Sequence, residues 1–257
     1  MLTKTVKYTL FPGLIAVIFL SCSHSQDKFV LRNADKLIVV LTQDWDSTPA
    51  KIYLLENHNE KWEFSGKKYT GVVGQHGMGW GVGLHDTLHW EQKFPYREKL
   101  EGDLRTPAGI YTLSEVMGYD SLLPVQTVKK YIQIHGYMHA VDDTSSVYYN
   151  QIVDTNSFAD GFRNHYNSYE DLAYMGPVYK WLFIIDHNAN RIRGRGSNIY
   201  FHIRRSNGKG TGGCTAVTED NILEIIHWLD KSTLILQLPE KIYARVNGDL
   251  GLPDIED

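Results

Sequence analysis

At 257 residues the chain is long enough for one large domain or two small ones, and its 42% hydrophobic content is enough to bury a real core. The formal net charge of -4 comes from interspersed acidic and basic residues without a long like-charge run, so there is no electrostatic footprint for nucleic acid. That partner class is excluded.

Taken in chain order, residues 1–21 read as an export signal. Lys4 and Lys7 precede the apolar stretch YTLFPGLIAVIFL, which runs into the small residues SCS at 21–23. Pro12 and Gly13 interrupt a run that is already short for a membrane-spanning helix. FLSC looks like a bacterial lipobox, with Phe19 departing from the usual aliphatic residue, and on that reading Cys22 is the first mature residue and carries lipid. The expectation is an exported protein of the cell envelope or periplasm, held at a membrane by a lipid anchor. Residues 22–70 then form a polar tether, SHSQDKF, and an N-terminal β segment in which KLIVVLT (36–42) and KIYLLE (51–56) are strands. KWEFSGKKYTGVVG continues the β pattern. The glycine-rich GQHGMGWGVG and the turn-bearing EGDLRTPAGIYTL follow.

Further strands are expected in KWLFIIDHN, SNIYFHI and STLILQL. TEDNILEIIHWLD is the clear amphipathic helix, with Ile222, Ile225, Ile226 and Leu229 at helical spacing and Thr218 as its N-cap. Residues 241–257 read as a tail. Many strands and few helices favour a mainly β or α+β fold over a doubly wound one.

The segment NGKGTGGCTA (207–216) carries the chemistry. Gly208, Gly210 and Gly213 spell the glycine pattern of a dinucleotide loop, but RRSNGK separates them from the preceding strand and the helix opens near Thr218 rather than at Gly213. No nucleotide is expected. Cys214 is the alternative focus: with Cys22 lipidated, it has no disulfide partner in an oxidising compartment. A thiol nucleophile needs a base, positive surroundings and backbone N–H donors for an oxyanion. His202 ends the strand twelve positions earlier, Arg204 and Arg205 supply charge, and the N–H groups around Gly213, Cys214 and Thr215 lie upstream of a helix N-terminus whose dipole favours a thiolate.

IYFHIRRSNGKGTGGCTAVTEDNILEIIHWLD strongly resembles the signature of the YkuD-like L,D-transpeptidase catalytic domain, a histidine followed by Ser/Thr-x-Gly-Cys, matched here by Thr211, Gly213 and Cys214. GQHGMGW, EGDLRTPAGIYTL and VDDTSSVYYNQIVD look like further blocks of one branch in the same order, so the resemblance spans residues 71–240. It implies a β-sandwich catalytic domain without metal or cofactor that acts on peptidoglycan stem peptides, with Cys214 as nucleophile and His202 as base. Many members carry an arginine two positions after the cysteine, where this chain has Ala216.

Thr211, Gly213, Thr215, Arg204, Asp143 and Tyr149 are the candidates for oxyanion and substrate contacts, although Asp142 and Asp143 fit a side-chain-stabilised turn equally well. Asp103 and Thr106 read as structural residues of the turn before IYTL, and His76 as a candidate for the cleft. His135 and His139 suggest a metal pair, but the segment alternates like a strand and no glutamate lies between them. His135-Gly136 mimics a motif of the family, yet only His202 has the spacing to Cys214. Two alternatives to transpeptidation stay open: an L,D-carboxypeptidase or amidase-type hydrolase using the same pair, and a non-catalytic wall-binding lipoprotein.

Overall fold

The computed structural model describes residues 31–85 and 87–255. The export signal and the lipidation of Cys22 lie outside these residues. In chain order the elements are β1 (Lys36–Thr42), β2 (Pro49–His58), β3 (Lys61–Val72), β4 (Met78–Trp80), α1 (Thr87–Lys93), β5 (Thr106–Gly118), β6 (Tyr131–Gln133), β7 (Met138–Val141), β8 (Gln151–Asp154), β9 (Tyr169–Asp171), β10 (Trp181–Ile185), β11 (Tyr200–Ile203), β12 (Thr215–Val217), α2 (Glu219–Trp228), β13 (Leu234–Pro239) and α3 (Glu240–Leu250).

The fold is mainly β with few helices, as the sequence suggests, but the expected sandwich is replaced by a closed barrel. Its order is β10-β11-β12-β3-β2-β1-β13-β5, and β10 pairs again with β5. Closure depends on β5, whose thirteen residues pair first with β13 through Gly109–Thr112 and then with β10 through Leu113–Gly118. One long strand therefore joins both ends of the sheet and removes the edges a sandwich would expose. The segment 36–72 supplies three of the barrel strands, and residues 241–250 of the expected tail belong to α3.

The continuous apolar run of β1 follows from its position between β2 and β13, with α3 packed against it, so both its faces are covered. At β10 and β11 the period-two alternation of a strand divides two cores. Phe183, Phe201 and Ile203 join the main core together with Ile222, Ile225 and Ile226 of α2, whose predicted cap holds: the Thr218 hydroxyl accepts from the Asn221 N–H. Leu182, Tyr200 and Cys214 face the opposite way, into a second core with Met117, Ala140 and Tyr179. The three-stranded sheet β8-β7-β9 contributes to this second core. No helix among the described residues is long and apolar enough to cross a membrane.

Candidate active site

The parallel pairing of β11 with β12 sets His202 opposite Ala216. Cys214, two residues earlier and just before β12, lies on the same side of the alternation, diagonal to His202 across the strand pair. Both side chains line one cleft of about 250 Å³. The Tyr200 N–H donates to the Cys214 Sγ at 3.3 Å, and the thiol donates to the Asn198 carbonyl at 3.6 Å. His202 Nδ1 lies 2.8 Å from the Ile203 carbonyl, which can only accept, so Nδ1 carries the proton and Nε2 is left as a base. Among the described residues no hydrogen bond links His202 with Cys214.

The loop before the cysteine is fixed by hydroxyls. Thr211 Oγ1 donates to the Cys214 carbonyl at 2.6 Å and accepts the Gly213 N–H at 3.1 Å. Thr106 Oγ1 donates to the same carbonyl at 3.0 Å and accepts from the Gly74 N–H. Gly213 has a φ of 149°, and a Cβ there would meet the Arg105 carbonyl oxygen at 3.0 Å, so glycine answers both to conformation and to space. The N–H groups of Gly212 and Cys214 make no hydrogen bond among the described residues, whereas that of Gly213 is taken by Thr211.

Burial dominates the protonation of the pair. It pushes the Cys214 thiol up to about 12, aided by the Glu170 carboxylate and opposed by the Tyr200 N–H and the Lys99 ammonium. It pushes His202 down to about 4, against the hydrogen bond to Ile203. The cleft therefore holds a neutral thiol and a neutral imidazole. Glu170, which accepts from the Tyr179 hydroxyl at 2.8 Å, is pushed up to about 7 by burial. The helix dipole invoked for the thiolate is not available: β12 separates Cys214 from α2, and the first turn of that helix carries Glu219, paired with Lys180 at 2.7 Å.

Of the sequence candidates, the cleft gathers Cys214, His202, Gly213 and Thr211. Thr215 instead turns into the barrel, fully buried, where its hydroxyl meets Gln237 Oε1 at 2.5 Å. Arg204 lines a neighbouring surface pocket with Thr218 and Glu219, and it is Arg205 that reaches the cleft. Asp143 caps a turn, accepting from the Ser145 N–H and hydroxyl and from the Asn167 N–H, while the adjacent Asp142 lines the cleft. Tyr149 is buried behind the wall and donates to Glu101 Oε2 at 2.5 Å. Ala216 is fully buried between His202 and Val72 in the ladder.

His76 stays exposed against the Asp103 carbonyl, outside the cleft. His135 stacks on Tyr137, and His139 is buried among Phe162, Tyr166 and Tyr169. No group of three His, Cys, Asp or Glu among the described residues is arranged to hold a metal ion. Asp103 and Thr106 have the structural roles expected for that turn. Sequence reading missed Lys99, Glu101, Glu170, Tyr179 and Asn198, which come from four separate stretches of chain. Only Lys99 and Glu101 had a signal, their place at the border of the EGDLRTPAG block.

No family model matches the chain, and no curated protein matches it. Among solved structures, the crystal structure of the helical cell shape determining protein Pgp2 from Campylobacter jejuni is similar at 18% identity, over 84% of this chain and 56% of that one, with a TM-score of 0.37. The chain thus spans a little over half the length of that structure.

Proposed function

We propose that the protein is a cysteine acyltransferase of L,D-transpeptidase type, acting on peptidoglycan stem peptides from the cell envelope. The observation that carries the reading is a thiol just before β12 and an imidazole on the paired strand β11, lining one cleft, with the imidazole tautomer fixed by the Ile203 carbonyl. The motif resemblance around Cys214 supplies the substrate class.

In this reading a side-chain rotation takes the thiol off the Asn198 carbonyl and onto His202 Nε2. The proton passes to the imidazole as the sulfur attacks the carbonyl carbon of the diamino-acid residue. The N–H groups of Gly212 and Cys214, which make no hydrogen bond among the described residues, receive the oxyanion. Collapse of the tetrahedral adduct breaks the C–N bond, the imidazolium gives its proton to the leaving D-alanine nitrogen, and a thioester on Cys214 remains. An amine from a second stem peptide then loses a proton to His202 and attacks the thioester. The C–S bond breaks and the sulfur regains its proton.

The raised thiol and the lowered imidazole both oppose proton transfer by themselves, so the reading requires that transfer to be coupled to attack on the substrate carbonyl. Incubation of the protein with tetrapeptide muropeptides tests the reading by product mass: cross-linked dimers with release of D-alanine are expected. Free tripeptide alone would make the protein a hydrolase, and unchanged substrate would remove the catalytic reading.

A further inference from the structure

A lysine is seldom taken out of water, because its ammonium loses hydration. Lys99 is nonetheless buried, with only 3% of its side chain exposed, and it lines the cleft that holds Cys214. Its stem runs beneath two glycines: a Cβ on Gly196 would come within 3.0 Å of Lys99 Cε, and one on Gly213 within 3.7 Å. The ammonium donates to the Leu100 carbonyl at 2.7 Å and to Asp103 Oδ1 at 2.5 Å. An ammonium has three donors, and these two contacts use two of them. Asp103 also accepts the N–H groups of Leu100 and Arg105, directly before Thr106, which grips the Cys214 carbonyl. The ion pair and the anchor of the nucleophile belong to one turn.

We propose that Lys99 is a positioning residue for the nucleophile, its stem packed against Gly213 and its ammonium held by Asp103 so that it stabilises the negative charge that forms at Cys214. The proposal rests on the reading of Cys214 as the acyl-carrying nucleophile. Other titratable groups line the same cleft. Glu170 of β9 and Asp142 after β7 bring like charge, and Glu101 lies beside Lys99 in chain. Tyr179, Tyr200 and His202 are buried and neutral. Arg205 and Lys209 line the cleft from the exposed loop after β11, where water weakens their field. Lys99 differs from these two in being desolvated, where a charge acts more strongly. Its field opposes the rise that burial and Glu170 impose on the thiol.

The test measures alkylation of Cys214 by iodoacetamide, a neutral probe, in the full chain across the neutral to alkaline range, with peptide mass spectrometry separating Cys214 from Cys22. Lys99→Met is expected to react about tenfold more slowly than wild type at each pH below the thiol midpoint, and Lys99→Arg to stay within about threefold of wild type. A folded Lys99→Met with an unchanged pH–rate profile overturns the proposal, as does an equal loss in Lys99→Arg. Lys99→Gln is the replacement should the methionine variant not fold. Alkylation needs no peptide substrate, so these results are separable from the transferase reading: an inert Cys214 in the wild type would count against the nucleophile itself.

Discussion

The Cys214 thiol donates to the Asn198 carbonyl at 3.6 Å and not to His202, although the imidazole lines the same cleft and has its Nε2 free. In the proposed mechanism the thiol leaves this carbonyl for His202 Nε2 when it gives up its proton. Asn198 is itself fixed, its N–H donating to Asn150 Oδ1 at 3.0 Å, so the resting position of the sulfur is set by a chain of contacts from the loop after β7.

His202→Ala is expected to lower the rate of acyl transfer by about 100-fold or more while leaving substrate affinity near wild type, because only proton transfer is lost. Single-turnover kinetics with a tetrapeptide separate the two quantities.

Thr211→Val removes one hydrogen bond to the Cys214 carbonyl and one from the Gly213 N–H in a buried setting. A stability loss of about 1–3 kcal/mol is expected in urea unfolding, with Thr211→Ser recovering most of it.

Gly213→Ala is expected to fold with a cost of about 1–3 kcal/mol and to lose most of its activity, since its backbone lies in a region glycine favours and the added methyl group presses on the Arg105 carbonyl. Melting temperature and turnover measured together check this. A wild-type turnover would show that the loop is not held as described.

Glu170 gives a pH signature. Burial raises its carboxyl from 4.5 to about 7, so the folded chain holds the proton more tightly than the unfolded one. The stability from this group is complete below about pH 4.5 and is lost as pH rises to about 7, by at most about 3 kcal/mol. His202 works oppositely, since its lowered value costs stability as pH falls from 6.5 towards 4. The difference between wild type and Glu170→Gln therefore isolates the carboxyl: the variant gains relative stability as pH rises from 4.5 to 7. Parallel melting curves over that range would contradict it.

The parts of this site legible in the sequence are those that local chain spacing controls. His202, Thr211, Gly213 and Cys214 sit within thirteen residues across one strand pair, and the strands, the α2 helix and its Thr218 cap follow from periodicity. Closure was not legible, because nothing local tells that the thirteen residues of β5 serve two partners. Single-residue choices failed for a related reason. Arg204 and Arg205, or Asp142 and Asp143, differ only in which face a given register exposes, and Thr215 turns inward by the alternation that turns Cys214 outward. Glu170 and Tyr179 reach the cleft from the small sheet and the turn before β10, through contacts that no sequence spacing encodes.

The central claim is that Cys214 carries the acyl group. Rapid quenching of the protein with a tetrapeptide muropeptide, followed by intact mass and peptide mapping, measures this directly. The expected result is a mass increase equal to the peptide minus D-alanine, located on the Cys214 peptide, slowed in His202→Ala and absent in Cys214→Ala. Turnover of the muropeptide by Cys214→Ala at the wild-type rate, with no adduct on Cys214 in either protein, would contradict it.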